Sequence, residues 1–299
     1  MARGVKGMRA GIAFAAVLGL AIAGPAFAQD GEDPLTRAVA LQYAEAFGEP
    51  GPPRLVHGAT WSLGSPTLAV TLIDSGAGLV LIDAGLAQWA PVLEAHLEQI
   101  GYDIADVKLI LSTEPHYDHA SGLAALARDS GAKVLASAAG GEVLRAGHST
   151  RSDPQLDELF AYAPVPEVTV VGDGEMVRLG GLELTAHATP GHTPGSLSWS
   201  WQSCAKADSC RTLVAVASLT SRTDGTYRYS APENAGALAA FRDGLERLVG
   251  LPCDQVLSRH PAHAEAAGAT GSQPCKALSA YFGAALDAQL EREAASGQP

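Results

Sequence analysis

The sequence is short of basic residues and of cysteine, and both shortages narrow its possible functions. Its 299 residues include 20 Lys and Arg against 32 Asp and Glu, which gives a formal net charge of −12 at pH 7. Because nucleic acids bind basic surfaces, we expect no nucleic-acid partner. The four cysteines contain no Cys-x-x-Cys pair, so they fit poorly with a zinc site built from cysteines.

The first 28 residues have the pattern of a secretory signal peptide. Arg3, Lys6 and Arg9 form a basic start, residues 11–22 are apolar, and Ala-Phe-Ala at 26–28 is a typical cleavage site. A membrane span needs roughly 20 apolar residues and usually lacks such a cleavage site, so we expect no stable membrane anchor. The sequence therefore predicts a periplasmic or secreted protein.

The cysteines all lie in the part that would be exported, where an oxidising compartment favours disulfides. Four cysteines allow three pairings. Cys204 and Cys210 flank a short loop between two strand-like runs, so a local bridge is the simplest pairing. Cys253 with Cys275 then follows by elimination.

Strand and helix patterns alternate along the chain and predict an α/β fold. The composition, 47% hydrophobic and 17% charged, argues against global disorder. Two successive halves, each with strands before helices and no long linker, predict one domain over residues 29–299 with two sheets face to face and helices outside. The predicted strands are 67–73, 78–83, 107–112, 132–136, 167–171, 175–179, 182–188, 196–201, 212–218 and 254–258. The predicted helices are 34–46, 90–100, 121–130, 138–146, 234–249 and 276–293.

The segment Thr-Glu-Pro-His-Tyr-Asp-His at residues 113–119 is the strongest candidate for a functional site. It follows directly after a predicted buried strand, and ligands in open sheets commonly lie at the carboxyl ends of strands. Its four potential ligands are Glu114, His116, Asp118 and His119. Because Asp and His are rarely so concentrated for packing alone, a metal site is favoured over a polar loop with incidental histidines.

Two further histidines follow predicted strands and complete the candidate site. His192 lies in Thr-Pro-Gly-His-Thr-Pro-Gly at 189–195, where turn residues on both sides would hold it in a fixed pose. His260 lies in Ser-Arg-His-Pro at 258–261. The remaining histidines have no such context and are interpreted as solvent-facing or hydrogen-bonded: His57, His96, His148, His187 and His263.

Together these segments resemble the metallo-β-lactamase superfamily and, more narrowly, the third subclass of class B β-lactamases. The likeness runs from about residue 57 to the C-terminus and includes Ser-Leu-Thr at 218–220 and the Cys253 and Cys275 pair. It implies an αββα sandwich of two mixed sheets with one or two zinc ions at one edge. By this likeness Glu114, His116 and His192 would hold one ion, and Asp118, His119 and His260 the other. The family usually has histidine where this chain has Glu114, although exceptions in the subclass carry Gln or Glu there.

The resemblance implies a β-lactamase, an antibiotic-resistance enzyme that opens the lactam amide with a metal-activated hydroxide. Asp118 would orient the attacking water, and Ser218 and Thr220 would bind the substrate. These two hydroxyls could equally cap backbone groups at a strand end. Trp61 and the polar loop at 147–164 could frame the cleft, but a core position for the tryptophan and an ordinary connection for the loop fit as well. We expect a monomer.

Two other functions compete with this one. The same metal framework serves lactonases and thioesterases of the glyoxalase type, so membership of the superfamily does not fix the substrate. Those branches commonly place a bridging aspartate where this chain has Ala217, which favours the lactamase. An exported zinc-binding protein with a decayed site, marked by Glu114, is the second alternative, and retention of the other five ligands argues against it.

Overall fold

The computed structural model describes Met1 and residues 33–296. The chain divides into two compact units, Met1–Glu32 and Asp33–Pro299, and every element below belongs to the second. The predicted signal peptide, apart from Met1, lies outside the described residues. Within the described part of the chain, no helix combines the length and the hydropathy that crossing a bilayer requires.

A seven-stranded mixed sheet forms the first half of the fold, and its strands lie side by side in chain order. The first four strands are antiparallel to their neighbours, whereas the fourth to the seventh are parallel. The strands are β1 Arg54–His57, β2 Thr60–Ser62, β3 Thr71–Asp74, β4 Leu79–Ile82, β5 Val107–Leu111, β6 Lys133–Ala136 and β7 Val168–Val170.

A five-stranded mixed sheet forms the second half, in the order β12-β11-β10-β9-β8. Only the β11–β12 pair is parallel. The carboxyl ends of β9, β11 and β12 therefore lie at the same edge. The strands are β8 Met176–Leu179, β9 Leu182–Ala188, β10 Leu197–Lys206, β11 Ser209–Val216 and β12 Gln255–Ser258.

Helices connect the strands, and several end where the sequence provides a cap. Ser137 accepts a hydrogen bond from the backbone N–H of Gly140 and starts one helix, which ends at Gly147 with φ 73°. Two others begin at a proline, Pro261 and Pro274. The α-helices are α1 Ala44–Phe47, α2 Ala90–Gln99, α3 Tyr117–Ala120, α4 Leu123–Ser130, α5 Ala138–Ala146, α6 Ala235–Gly250, α7 Pro261–Ala266 and α8 Pro274–Ala295.

Three apolar layers hold these elements together. Along β4, Leu79 and Leu81 pack with the layer that contains α2 and α4, while Val80 and Ile82 point the other way. That second side packs against Trp199 and other residues of the second sheet, so the two sheets lie face to face. A third layer joins β11 and β12 to α6 and α8. The predicted αββα sandwich of two mixed sheets is confirmed.

The fold differs from the sequence prediction mainly near the N-terminus. The predicted helix at 34–46 is wrong, because Ala40 has a left-handed backbone (φ 51°) and only a 3-10 turn at 41–43 and α1 follow. The predicted strand at 67–73 begins only at Thr71. The Ser65 hydroxyl accepts the backbone N–H groups of Thr67 and Leu68 and turns the chain there.

Candidate metal centre

The turn after β5 carries four of the candidate ligands. Asp118 and His119 lie in α3, the short helix that His116 immediately precedes, so one turn of backbone presents three side chains in sequence. Glu114 lies in the connection from β5 and is 1% exposed. The carboxyl end of a strand in the middle of the first sheet therefore delivers all four side chains to one edge.

The second sheet brings His192 and His260 to the same place. The turn that contains His192 joins β9 to β10, and the Tyr229 hydroxyl donates a hydrogen bond of 2.9 Å to the carbonyl of Gly191. Gly191 has φ 141°, a conformation that L side chains rarely adopt. His260 lies two residues after the end of β12 and precedes Pro261, where α7 starts. The structure thus brings together all six residues that the sequence suggested as ligands.

These side chains form two groups with converging donor atoms. The first group is Glu114, His116 and His192, and the second group is Asp118, His119 and His260. In the second group, His119 Nε2 lies 3.4 Å from Asp118 Oδ2 and 3.3 Å from His260 Nε2. In the first, Glu114 Oε2 lies 3.3 Å from His192 Nε2 and 4.0 Å from His116 Nδ1.

The donor set fits zinc. Two atoms bound to one tetrahedral zinc at about 2.0–2.1 Å are about 3.3–3.4 Å apart, and several of these separations have that value. Glu114 Oε2 is also buried without a hydrogen-bond partner. A buried carboxylate oxygen with no donor is costly unless a cation completes it. The two groups are therefore suited to one zinc ion each.

Other groups hold the imidazoles so that one nitrogen of each ring faces the centre. His116 Nε2 lies 3.0 Å from Asp153 Oδ2, and this contact leaves Nδ1 for the ion. His192 Nδ1 lies 3.0 Å from the Thr220 carbonyl, and His260 Nδ1 lies 3.1 Å from the Thr67 carbonyl. Such contacts fix the tautomer and the ring orientation of histidines that bind metals.

Two buried carboxylates beside the centre escaped the sequence analysis. Asp153 lies in the polar loop at 147–164, and Asp83 follows β4 with its Oδ2 3.6 Å from His119 Nδ1. Asp83 has φ 61°, which is unusual for a residue other than glycine. Thr113 donates to it through both its backbone N–H and its hydroxyl. An acidic residue directly after a buried strand was the available signal for Asp83.

The buried carboxylates and imidazoles of the centre shift one another's pKa values. Burial raises the pKa of Glu114, but the imidazoles of His119, His192 and His116 outweigh burial and hold the pKa well below its usual range. Glu114 is therefore anionic at neutral pH. Burial lowers the pKa of both His192 and His260 and favours their neutral forms. Burial also lowers the pKa of His119, but the carboxylates of Asp118 and Glu114 outweigh burial and raise it to about 10. Neutral imidazole and ionised carboxylate are the forms that bind metal.

A cavity of about 330 Å³ opens beside both groups. Arg222 is the one Lys or Arg among the described residues that line it, and its Nε lies 2.8 Å from Glu158 Oε2. Sequence reasoning missed Arg222, because a single arginine between turn residues carries no pattern. The apolar wall consists of Tyr43, Ala46, Phe47, Tyr117 and Leu159. The polar wall contains Gln155, Ser218 and Thr220.

The residues predicted to contact substrate have different places. Ser218 and Thr220 line the cavity, and the Ser218 hydroxyl is buried without a hydrogen-bond partner. The loop at 147–164 also lines it through Gln155, Glu158 and Leu159. Trp61 does not line this cavity: it lies on β2, half-buried against the core, because its side chain packs on the outer layer of the first sheet. Of the two places that the sequence left open for Trp61, the structure shows the one against the core.

Of the other histidines, one lines the cavity and at least two lie away from it, and the cysteines form two disulfides. His263, interpreted from the sequence as solvent-facing or hydrogen-bonded, is half-buried and lines the cavity, with its ring centroid 5.2 Å from that of His260. His57 and His187 contact serine hydroxyls away from the cavity. Both expected disulfides, Cys204–Cys210 and Cys253–Cys275, are present.

Known proteins are similar to this chain in sequence and in fold. The family model for the metallo-β-lactamase superfamily matches residues 69–204. A curated relative, the hydroxyacylglutathione hydrolase of Anaeromyxobacter dehalogenans (strain 2CP-C), is 31% identical over 253 residues, which cover 76% of this chain and 89% of the relative.

Solved structures resemble the chain more strongly than that relative does. One, described as the first B3 metallo-β-lactamase with an active-site glutamic acid, is 43% identical with a TM-score of 0.84, and the match covers 88% of this chain and 99% of that one. Another is MEM-A1, a subclass B3 metallo-β-lactamase isolated from a soil metagenome library. It is 36% identical with a TM-score of 0.79, over 84% of this chain and 99% of that chain.

Proposed function

Because this chain belongs to the metallo-β-lactamase superfamily, we propose that it hydrolyses the lactam amide of β-lactam antibiotics with bound zinc. The observation that carries the proposal is the pair of ligand groups, Glu114 included, beside a cavity in a chain 43% identical to a B3 enzyme with an active-site glutamic acid. The two groups of three ligands support one or two zinc ions per chain.

Bound zinc lowers the pKa of water to about 7 and polarises the carbonyl that is attacked. The protein's own contribution is to orient the reactants. Asp118, which lines the cavity, would accept a hydrogen bond from the attacking water. The Ser218 hydroxyl, which is buried beside the cavity without a partner of its own, would donate to the substrate carboxylate after its side chain turns towards the cavity.

Arg222 supplies the charge that a β-lactam carboxylate needs at the mouth of the cavity. Its guanidinium is exposed and pairs with Glu158, so an anionic substrate would compete for it without burying a charge. Thr220 has a different role: its hydroxyl lies 2.8 Å from His192 Nδ1, and it therefore supports the imidazole more directly than it contacts substrate. The aromatic wall would hold the apolar part of the ligand.

A thioesterase of the hydroxyacylglutathione hydrolase type is the second candidate, since the curated relative has that name and 89% of it is covered. Ala217, at the end of β11, favours the lactamase. Its side chain is a buried methyl group, so this position has no carboxylate that could bridge two metal ions.

The predicted signal peptide and the two disulfides support a periplasmic or secreted enzyme with a role in antibiotic resistance. Disulfides persist in oxidising compartments, and β-lactams act outside the cytoplasmic membrane. We further propose that the enzyme acts as a monomer on a small-molecule substrate.

The decisive experiment compares substrates at controlled zinc. The exported protein is assayed with a chromogenic cephalosporin, a carbapenem and an acylglutathione thioester, before chelation, after it and after zinc is restored. We expect ring opening of the lactams that is lost with chelator and restored by zinc. His260→Ala should abolish it, whereas His187→Ala, a histidine on the outer face of the second sheet, should not. Lactam turnover absent at every zinc level, or faster thioester cleavage, would overturn the proposal.

A further inference from the structure

We infer that Glu114 joins the two metal groups, with one carboxylate oxygen directed at each ion. This inference rests on the proposed zinc centre and concerns how its ions are shared. Assignment of Glu114 to the first group alone leaves the short separation between Oε1 and His119 Nε2 without a role. The two oxygens lie close to different histidines, His119 in the second group and His192 in the first.

The separations support one oxygen per group. Glu114 Oε2 lies 3.3 Å from His192 Nε2 in the first group. Glu114 Oε1 lies 3.3 Å from His119 Nε2 in the second group. Both values match the distance of about 3.3–3.4 Å between two ligands of one tetrahedral zinc. Oε1 would therefore be a fourth ligand of an ion held by Asp118, His119 and His260.

The protein fixes the carboxylate in this orientation. The backbone N–H of Ser218 donates a hydrogen bond of 3.0 Å to Oε1, and the Glu114 side chain has no exposed surface. Each carboxylate oxygen has two lone pairs, so Oε1 can accept this N–H and still bind a cation. Oε2 has no hydrogen-bond partner and is left entirely for the first group.

A histidine at this position could not have the same role. The imidazole has two nitrogens on opposite sides of a rigid ring, and only one could face the centre. The glutamate that this chain has in place of the family's histidine would then be one anionic ligand shared by the two ions. Removal of that ligand should weaken the second group as well as the first.

The test measures metal binding and ligand geometry rather than turnover. A crystal structure of the zinc-loaded protein should show Oε1 within bonding distance, about 2.0–2.2 Å, of the ion held by the second group. Oε1 farther away, with both oxygens on the first ion, would overturn the inference. Failure of the lactam assay would leave this result intact, so the two proposals fail separately.

Zinc titration of variants provides an independent check. His192→Ala removes a ligand of the first group, so tight binding in that background reports on the second group. Addition of Glu114→Asp, which keeps the charge but shortens the side chain, should weaken the remaining ion about tenfold or more. Addition of Glu291→Gln, an exposed glutamate of α8, is the matched control and should leave it unchanged. Equal affinity with and without Glu114→Asp would contradict the inference. Circular dichroism before titration identifies any variant that fails to fold.

Discussion

Asp153 holds one imidazole of the metal centre through a single buried contact. It accepts from His116 Nε2 at 3.0 Å and from the Ser149 hydroxyl at 3.1 Å. Burial raises the pKa of Asp153, but the hydrogen bond from His116 outweighs burial and lowers the pKa below its usual value. The carboxylate is therefore ionised and makes the His116 ring a stronger ligand.

We expect Asp153→Asn to weaken zinc binding about 10- to 100-fold while the fold is retained, because the amide keeps an acceptor but loses the charge. Competition with a chromophoric chelator measures the affinity. Asp243→Asn, on the exposed face of α6, is the matched control. An affinity equal to that of the control would show that the carboxylate does not tune His116.

At this scale the sequence identified ligands better than their supports. The six ligands stand in short motifs with turn residues, and spacing alone makes them visible. Asp153, Asp83 and Arg222 stand alone in the sequence, and their roles depend on which strands and loops become neighbours. For Trp61 the sequence left both the cleft and the core open, and tertiary packing puts its side chain against the core.

The loop at 147–164 and the segment after β11 form one unit at the level of secondary-structure elements. Asp224 connects them: its carboxylate accepts from the Arg151 guanidinium and from the Asp157 backbone N–H, and its own N–H donates to the Pro154 carbonyl. The backbone N–H groups of Thr226 and Tyr227 also donate to this carboxylate. Because the loop carries Asp153 and Gln155, Asp224 indirectly orders the cavity wall.

Asp224→Asn should destabilise the protein by about 1–2 kcal/mol at pH 7, because the amide NH₂ accepts no hydrogen bond, whereas the carboxylate oxygen that it replaces accepts two. Urea denaturation of the variant and of wild type measures the difference. Asp208→Asn, in the turn between β10 and β11, is the control.

The pH dependence of that difference has a defined sign. Burial raises the pKa of Asp224, but the Arg151 guanidinium and the backbone donors lower it to about 2. A carboxylate with a lowered pKa in the folded state stabilises the protein above its unfolded pKa of about 4 and loses that effect as the pH falls towards 2. The two proteins should therefore differ most at pH 7 and converge between pH 4 and pH 2. A constant difference at all pH values would contradict this account.

Element boundaries followed the sequence where a local signal ended them. The helix predicted at 138–146 was confirmed to the residue, because Ser137 and Gly147 cap its two ends. The strand β1 and the helix α7 were not predicted. Four residues with Leu55 exposed do not alternate clearly, and α7 is a turn and a half that Pro261 begins. Their formation depends on neighbours that the local sequence does not show.

The two disulfides should contribute unequally to the stability of the whole molecule. In the chain-entropy description, a bridge stabilises by restricting the unfolded chain, more for a longer loop. Cys253–Cys275 spans 22 residues of sequence, and Cys204–Cys210 spans six. Replacement of both cysteines by serine should therefore lower the free energy of unfolding by about 3 kcal/mol for Cys253–Cys275 and by about 2 kcal/mol for Cys204–Cys210. Equal losses in chemical denaturation, or a larger loss for the hairpin bridge, would refute this ranking.

The whole-molecule arrangement was predictable because alternation of apolar residues in the strands separates the three layers. Leu79 and Leu81 against Val80 and Ile82 is the clearest case, and the same alternation assigns β11 to two layers. The strand order within each sheet was not predictable, since it depends on which edges pair after the layers form.

Neither sheet can hold a metal ion with its own residues alone. Each ligand group combines two side chains from the end of β5 with one histidine from the second sheet, His192 or His260. A bound ion would therefore cross-link the two sheets at the edge where the apolar layer between them ends. Because ligands that bind only the folded state add stability in proportion to the logarithm of their free concentration, resistance to unfolding becomes a readout of the zinc supply around the protein.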